Sequence, residues 1–337
     1  FRRVLFRSRD VAKLAGVSTA TVSRVINSPE TVREPTRKKV QRAMGICNYK
    51  YNALARGFAT KKTNTIGLLI PNINNPVFAE STRGVQDYAD SNKIQIILGN
   101  TYYQYEKEEG LIKTLREKQV DGFIITTTDP RGAVLNSLVE EKVPFVLLYS
   151  TLKKGPFSAV GVDNFRGGYL ATEHLVKLGH QRVGMIAGKF SISDRSLHRW
   201  HGYRQCLKNY NIDYDSNLVA QMNYSLTCGK ASMEKMLALQ DPPTAVFCSN
   251  DYMALGAMKG ARECGLSLPR DMSIVGFDDI QISSYVAPGL TTIHQPAYEM
   301  GKLGAKLLFR LMEDGTGKPV QKMLESSLVI RESTQKV

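Results

Sequence analysis

The stretch that decides the fold of the N-terminal region is DVAKLAGVSTATVSRVIN, residues 10–27. Its apolar residues recur at helical spacing on either side of a break at residues 16–18, as Val11, Leu14 and Ala15 before it and Val22, Val25 and Ile26 after it. This pattern predicts two short helices joined by a tight turn. Gly16 is suited to the positive φ that ends one helix, and Ser18 is suited to the N-cap of the next.

A third helix is predicted from about Pro35 to Cys47. Proline is favoured in the first turn of a helix, and the apolar residues of this segment are spaced at i, i+3, i+4 and i+7, as Val40, Ala43, Met44 and Cys47. Three short helices of this kind can enclose a small hydrophobic core. The order is typical of a helix-turn-helix, in which the second helix enters the major groove of duplex DNA.

Positive charge is concentrated in the same region. Residues 1–65 contain 15 Lys and Arg against 3 Asp and Glu, a net charge of +12, whereas the other 272 residues carry only +2. A dense cationic segment is either a solvated surface or a nucleic-acid-binding surface. Because this one coincides with a predicted helix-turn-helix, we interpret it as a DNA-binding head rather than as a three-helix bundle that only packs.

The side chains expected to contact DNA lie on and beside the second helix. Base edges are expected to meet Thr19, Ala20, Ser23 and Arg24, and phosphates to meet Ser18, Thr21 and Asn27. Arg24 can donate two hydrogen bonds to guanine O6 and N7, while the small Thr19 and Ala20 can contact thymine methyl groups.

The composition argues against several classes of protein. Hydrophobic residues make up 42% of the chain and charged residues 23%, which is ordinary for a globular protein, and no apolar run approaches the roughly 18 residues of a membrane span. The five cysteines are widely spaced without a C-x-x-C pair, so we expect no disulfide framework and a reducing cytoplasm. Residues 1–8 lack the features of a secretory signal and are expected to be non-native.

The remainder of the chain alternates between short β-branched runs and amphipathic stretches. Candidate strands are Thr65–Pro71, Ile94–Asn100, Gly122–Thr126, Pro144–Leu148, Val183–Ala187, Thr244–Cys248, Ser273–Phe277 and Ser327–Ile330. Helical patterns separate most of them, for example Val77–Ser91, Phe165–Leu178 and Met253–Cys264. The alternation predicts an α/β fold with parallel sheets covered by helices, and its length implies two doubly wound lobes.

Polar and aromatic side chains follow many of the predicted strands. Ligands of open α/β sheets bind beyond the carboxyl ends of the strands. The groups found there suit a polyhydroxylated ring, and they are Asn75, Phe78, Tyr149, Asp194, Arg199, Asn250 and Asp278. Carboxylates accept hydrogen bonds from hydroxyl groups, whereas arginine and asparagine donate to them. Asp251 is expected to cap the following helix rather than to contact a ligand.

Residues 10–27, together with Thr36-Arg37-x-x-Val40 and Asn48-Tyr49, resemble the head of the lactose/galactose-repressor family. The resemblance covers about residues 9–333 and continues through Asn52-Ala-Leu-Ala-Arg56, Asn64-Thr-Ile-Gly67, Arg199-x-x-Gly-Tyr203, Asn250-Asp-x-Met-Ala-Leu-Gly256 and Gly276-Phe-Asp-Asp279. It implies an all-α helix-turn-helix head followed by an effector domain of the type I periplasmic-binding-protein architecture.

The resemblance also implies domain boundaries and further site residues. The head would comprise residues 9–50, a hinge helix and linker 51–63, and an effector-binding and dimerisation domain 64–337, with lobe 1 at about 64–163 and 294–322 and lobe 2 at about 164–291 and 323–337. In the family the hinge helix folds on DNA and opens the minor groove, which assigns an apolar wedge to Phe58 and a minor-groove cation to Arg56. The family's effector-contacting positions match Phe78, Tyr149, Arg199, Tyr224, Asn250 and Asp278.

Together these features predict a transcriptional repressor that binds a pseudo-palindromic double-stranded DNA operator as a homodimer. Its operator affinity would be controlled by a small-molecule effector, a sugar or sugar derivative, with an aromatic-stacked nucleobase as an open alternative. A sugar-binding transport protein and a sugar-modifying enzyme are the rival functions. No G-x-G-x-x-G, G-x-S-x-G or H-E-x-x-H motif is found, so no enzymatic activity, cofactor, metal or membrane partner is expected.

Overall fold

The structure is a computed structural model that describes residues 8–49, 62–129, 132–150, 155–314 and 318–337. For Asn27 and Asp314 it describes the backbone only. Contacts between Cα atoms divide the chain into two compact units, Phe1–Thr63 and Asn64–Val337. The smaller unit contains the predicted head, and the larger unit contains the predicted α/β domain.

The smaller unit is built from three helices, α1 (Ser8–Ala15), α2 (Thr19–Asn27) and α3 (Glu34–Ile46). Gly16 has a φ of 64°, and the Ser18 hydroxyl accepts a hydrogen bond from the amide of Thr21 at 3.1 Å. The positive φ and the N-cap predicted from the sequence are therefore both confirmed. Helix α3 begins and ends one residue before the predicted bounds.

Small side chains form the core of the head. They come from all three helices and are Val11, Ala12, Val22, Val25, Val40, Ala43 and Cys47. Leu14, which the periodicity directed inward, is 51% exposed. The prediction for Leu14 was wrong because Val11, Ala12 and Ala15 define the inward face of this short helix, and Leu14 lies to one side of it.

The larger unit contains two six-stranded sheets. Its strands are β1 (Thr65–Ile70), β2 (Gln95–Asn100), β3 (Gly122–Ile125), β4 (Phe145–Leu148), β5 (Ser158–Val162), β6 (Val183–Gly188), β7 (Val219–Met222), β8 (Ala245–Cys248), β9 (Ser273–Asp278), β10 (Thr291–His294), β11 (Gln321–Leu324) and β12 (Ser327–Val329). Its helices are α4 (Pro76–Ser91), α5 (Tyr105–Glu117), α6 (Ala133–Glu140), α7 (Asn164–Lys177), α8 (Asp194–Asn209), α9 (Leu226–Leu237), α10 (Asp251–Glu263) and α11 (Ala297–Asp314).

Each sheet is the centre of one lobe. The strand order is β11-β5-β4-β3-β1-β2 in the first sheet and β12-β10-β9-β8-β6-β7 in the second. All neighbouring strands run parallel except β10 and β12, which are antiparallel. The predicted α/β class with two doubly wound lobes is confirmed. Strands β5, β7, β10 and β11 were not among the candidates. Strands β7 and β11 are only partly buried, and the sequences of β5 (SAVGV) and β10 (TTIH) contain Ser, Gly, Thr or His, so none of the four forms a continuous apolar run.

The chain passes between the two sheets after β5, after β10 and after β11. The third passage differs from the boundary expected at residue 322, which falls inside β11. Residues Gln321–Leu324 pair in parallel with Ala159–Val162, so this segment stays in the first sheet up to Leu324. Strand β10 pairs with β9 in the second sheet up to His294.

A glycine pair sets the distance between α7 and α8. A Cβ atom at Gly202 would overlap the carbonyl oxygen of Phe165, and one at Gly168 would overlap that of Arg199. The two helix backbones therefore touch where larger residues would hold them apart. This contact fixes the position of α8, which carries two arginines of the site described below.

Candidate functional site

The exposed face of α2 carries the side chains that were predicted to read bases. Thr19, Ala20, Ser23 and Arg24 are all exposed, while Val22 and Val25 on the opposite face are buried in the head core. Positions i, i+1, i+4 and i+5 lie on one side of a helix, so the four side chains form one outward surface. Such a surface fits the major groove, where short polar side chains and an arginine can meet base edges.

Two of the three residues predicted to contact phosphates, Ser18 and Thr21, lie at the N-terminus of α2. The Ser18 hydroxyl lies 3.0 Å from the hydroxyl of Thr21 in addition to accepting from the Thr21 amide. Both hydroxyl groups therefore help to hold the first turn of α2, where free backbone amides favour an anion. The side chain of Asn27, and the whole of Arg56 and Phe58, lie outside the described residues.

A cavity between the two lobes brings together most of the predicted effector residues. Seven of the eight line it, namely Asn75, Phe78, Tyr149, Arg199, Tyr224, Asn250 and Asp278. Four further residues line it as well, Val77, Tyr103, Arg195 and Gln295. The eighth predicted residue, Asp194, does not line the cavity. It is the first residue of α8, and only its neighbour Arg195 reaches the cavity.

The cavity is narrow in this structure. Its volume is about 20 Å³, enough for about one water molecule, whereas pockets for organic ligands measure about 300–1,000 Å³. Contacts between the lobes close it. The rings of Tyr103 and Tyr224 stack with their centroids 4.8 Å apart, and Arg195 Nη1 donates to the carbonyl oxygen of Thr127 at 3.3 Å. A ring-sized ligand therefore requires these contacts to open or to rearrange.

Arg199 is held on every side by the second lobe. Its Nε donates to Asn164 Oδ1 at 2.7 Å, and Nη1 donates to the carbonyl oxygen of Ser249. The guanidinium lies 3.5 Å from the centre of the Phe277 ring, and Asp278 Oδ1 is 3.9 Å from Nη1. Burial lowers the pKa of Arg199, and the nearby Asp278 opposes this effect. Arg199 is thus held in place by contacts within its own lobe, and its side chain lines the cavity.

Asp278 is a buried carboxyl group whose second oxygen has no partner. Its Oδ1 accepts from Gln295 Nε2 at 2.5 Å, while Oδ2 forms no hydrogen bond within the described ranges. Burial raises the pKa of Asp278 to about 8, with Arg199 acting in the opposite direction. The Oδ2 atom of Asp278 is therefore free to form a hydrogen bond with a ligand hydroxyl, as the acceptor when the carboxyl group is ionised and as the donor when it is protonated.

Two cavity residues adopt backbone conformations that are unusual for their type. Asp278 has a φ of 123°, and Tyr149 has a φ of 60°. The Tyr149 hydroxyl donates to the carbonyl oxygen of Val77 at 2.9 Å, and its ring meets that of Phe78 edge-on at 5.2 Å. Strained conformations at non-glycine residues persist where surrounding contacts fix them, and such positions cluster at binding sites.

The N-cap of α10 differs from the sequence prediction, which assigned this role to Asp251. Asn250, not Asp251, caps α10, because Asn250 Oδ1 accepts from the amide of Met253 at 2.8 Å. Asp251 is fully buried and accepts hydrogen bonds from three donors, namely the Ile280 amide and the Ser283 hydroxyl between β9 and β10, and the Thr292 hydroxyl within β10. Its role is to hold the segment between β9 and β10 against α10. Asn75 similarly caps α4 through Oδ1, which accepts from the amide of Val77.

Sequence reasoning missed three polar or aromatic residues of the cavity. Tyr103 follows β2 and Gln295 follows β10, so the rule that ligands bind beyond strand ends would have found both had it been applied to these strands. Arg195 carries no motif and was passed over in favour of Asp194. Its direction into the cavity depends on how α8 packs against α7.

Neither a metal site nor a membrane helix is found in the parts of the chain that the structure describes. No group of three or more His, Cys, Asp or Glu residues there is placed to hold a metal ion. Among these same residues, no helix is long and apolar enough to cross a membrane.

Comparison with known proteins identifies both parts of the chain. Residues 9–52 match the model of bacterial regulatory proteins of the lacI family, and residues 172–334 match that of the periplasmic binding protein-like domain. The HTH-type transcriptional repressor PurR of Aliivibrio salmonicida is 37% identical over 308 residues, which cover 91% of this chain and 92% of that protein.

Solved structures agree with this match. The lac repressor dimer bound to operator and the anti-inducer ONPF has a TM-score of 0.86 and 31% identity, covering 98% of this chain and 99% of that one. A LacI family transcriptional regulator from Enterococcus faecium with bound ribose has a TM-score of 0.73 and 34% identity, covering 81% and 99%. The chain therefore belongs to the lacI family of bacterial regulatory proteins and is an effector-controlled, DNA-binding transcriptional repressor.

Proposed function

We propose that this repressor senses a small hydroxylated metabolite in the cavity between its two lobes. The observation that carries the proposal is the convergence of buried hydrogen-bonding groups from both lobes. Asn75 and Tyr149 come from the first lobe, and Arg199, Asn250 and Asp278 come from the second. A ligand that contacts both sets favours the closed arrangement of the lobes over any more open one.

We propose that α2 reads the operator through Thr19, Ala20, Ser23 and Arg24. Ser18, Thr21 and Asn27 would contact the flanking phosphates, and residues 51–63 would form the hinge, with Arg56 and Phe58 in the minor groove. The exposed face of α2 and the net charge of +12 on residues 1–65 support this assignment.

A homodimer on a pseudo-palindromic operator is the assembly that we propose. One head reads only a few base pairs, and two heads on symmetric half-sites multiply the specificity. The similarity to the lac repressor dimer bound to operator supports this assembly. Regulation rather than catalysis is the proposed activity, in keeping with relatives that are transcriptional regulators. The cytoplasm, which contains DNA and keeps free cysteines reduced, is the proposed compartment.

Selection from random duplexes, followed by metabolite titration, tests the proposal. The full-length chain is expected to enrich a pseudo-palindromic sequence, and one or more sugars, sugar derivatives or nucleobases are expected to change its affinity about 5–150-fold. Asp278→Ala should reduce that response at least about tenfold, whereas Asp213→Ala, which removes an exposed carboxylate remote from the cavity, should preserve it. Failure to select any sequence, or a response that persists in Asp278→Ala, would contradict the proposal.

A further inference from the structure

The cavity contains a second buried arginine that, unlike Arg199, is only partly engaged. Arg195 is 7% exposed, and its Nη1 donates a long hydrogen bond of 3.3 Å to the carbonyl oxygen of Thr127. Its Nη2 is buried and has no hydrogen-bond partner among the described residues. Guanidinium groups remain charged in proteins, and a buried donor without a partner is costly. Arg195 therefore presents an unsatisfied, charged donor to the cavity.

The negative groups around Arg195 do not satisfy it. Asp194 Oδ1 lies 3.9 Å from Nη1 and sits at the outer, partly exposed end of α8. Glu108 is buried behind Thr127, where it accepts from the Thr127 hydroxyl at 2.6 Å and from the Thr128 amide at 3.2 Å. Burial raises the pKa of Glu108, and hydrogen bonds from Thr127 and Thr128 oppose this effect. Neither carboxylate reaches the Nη2 atom that lacks a partner.

The charge that lines the cavity is unbalanced. Two guanidinium groups, Arg195 and Arg199, face one carboxyl group, Asp278. The single carboxyl group of Asp278 can balance at most one of these two positive charges. Buried charges in proteins are normally paired, so the lining is suited to a ligand that carries a negative charge.

Two acceptor atoms complete the pattern. Asp278 Oδ2 and Gln295 Oε1 are both buried and have no hydrogen-bond partner in the described part of the chain. Hydroxyl groups of a ligand can donate to both. The cavity thus offers a cationic donor for an anionic group and neutral or anionic acceptors for hydroxyl groups.

We propose that the effector of this repressor is a polyhydroxylated carboxylate, a sugar acid, whose carboxylate binds Arg195 while its hydroxyl groups donate to Asp278 and Gln295. This inference rests on the proposed function, because it names the chemical class of the ligand in the same cavity. A carboxylate carries a single charge, and one of its oxygens can accept a charge-assisted hydrogen bond from the free Nη2 of Arg195. A phosphate carries nearly two charges on three oxygens and needs more donors than the one free nitrogen of Arg195.

Calorimetric titration of the full-length chain with matched ligands tests the inference. The pairs are gluconate and glucitol, galactonate and galactitol, ribonate and ribitol, and glucuronate and glucose, with glucose 6-phosphate as the phosphate probe. At least one acid is expected to bind about 30-fold tighter than its neutral partner. This factor is the lower end of the effect of removing one partner from a buried, hydrogen-bonded charge pair. This comparison uses the unmodified protein and does not depend on any variant.

Substitutions in α8 test whether Arg195 causes the preference for acids. Arg195→Met should weaken binding of the preferred acid about 30-fold and binding of the neutral partner much less, and Arg195→Lys should restore part of the acid affinity. Arg204→Met removes an exposed arginine of the same helix that stacks on Trp200, and it should leave the preference for the acid unchanged.

The possible outcomes separate this inference from the proposed function. If neutral sugars bind as tightly as every acid, or if the phosphate probe binds more tightly than every carboxylate, the inference is overturned while a metabolite-sensing cavity stands. If the preference for acids persists in Arg195→Met, the assignment to Arg195 is overturned. If no sugar, sugar acid, sugar phosphate or nucleobase binds at all, the proposed function itself fails.

Discussion

The head and the effector cavity place their functional side chains in opposite surroundings. On α2, Thr19, Ala20 and Arg24 point into solvent from a helix whose other face is buried. In the cavity, Arg195 and Asp278 are buried, and each has a polar atom without a partner among the described residues. The head presents exposed side chains to a macromolecule, duplex DNA. The cavity instead contains buried polar atoms that a small ligand can pair with.

The difference shows how each region can change with little effect on the other. Exposed side chains on α2 contribute little to the stability of the head, so they are free to determine base preference. Buried polar groups in the cavity contribute both to stability and to ligand binding, because each one lacks water as an alternative partner. Substitutions in the cavity are therefore expected to affect stability, and substitutions on α2 to affect specificity.

The largest effect on stability is expected from Asp251→Ala. This change leaves three buried donors, the Ile280 amide and the hydroxyl groups of Ser283 and Thr292, without an acceptor. The free energy of unfolding of the larger unit should fall by about 3 kcal/mol or more. Chemical denaturation followed by the fluorescence of Trp200, the single tryptophan, measures it. Asp251→Asn, which keeps one acceptor, should lose less, and equal losses in both variants would contradict this explanation.

The stability of the larger unit is expected to decrease as pH rises, owing to Asp278. The pKa of Asp278 is raised by burial to about 8 in the folded chain, from an ordinary value of 3.8. The unfolded chain therefore loses this proton first, so the contribution is fully present below about pH 4 and is lost as pH rises through about 8. Each unit of pKa difference corresponds to about 1.4 kcal/mol, so the loss of stability between pH 5 and pH 8 is expected to be at most about 4 kcal/mol.

Denaturation of the native chain and of Asp278→Asn at pH 5 and pH 8 measures this contribution. The amide of Asn keeps the shape of the side chain and cannot titrate, so the variant should show the smaller dependence on pH. An identical dependence in the two proteins would assign the effect to other groups, such as Asp251, whose pKa burial also raises.

A change in specificity without a change in stability is expected from Arg24→Ala. Loss of a two-pronged contact with a guanine should relax discrimination by about 1–3 kcal/mol at one base pair of each half-site. Affinities for the selected operator and for single-base variants provide the measurement. Arg42→Ala removes an exposed cation of α3 and should weaken binding to all sequences about equally. Uniform weakening by Arg24→Ala would mean that Arg24 contacts only phosphate.

Substitution of glycine by alanine is expected to change stability in opposite directions in the two regions. Gly45 lies in α3 with open space around an added Cβ, so Gly45→Ala should stabilise the head by about 0.5 kcal/mol. Gly202→Ala makes the same chemical change where the backbone of Phe165 occupies the space, and it should destabilise the larger unit by about 1–3 kcal/mol. Hydrogen exchange of residues 34–46 and the fluorescence of Trp200 report the two regions separately.

Much of this molecule was predictable from local sequence. The turn at Gly16, the cap at Ser18 and the outward face of α2 were all found in the structure. They could be predicted because each depends only on residues within about two helical turns of one another. The polar residues that follow β1, β4 and β8 and the one that ends β9 were also identified, because parallel strands end at a common edge. In the head, local periodicity gave the wrong direction for Leu14, which lies in a helix of eight residues.

The sequence by itself determined the helices of the head, the alternation of strands and helices, and which polar residues follow the strands, because these depend on neighbouring residues. Only the tertiary structure decided which of those residues share one cavity. Tyr103 meets Tyr224 across the lobes, and close packing of α7 on α8 at Gly168 and Gly202 directs Arg195 inward while leaving Asp194 outside. Such contacts join segments far apart in the chain, and no spacing within a single segment encodes them.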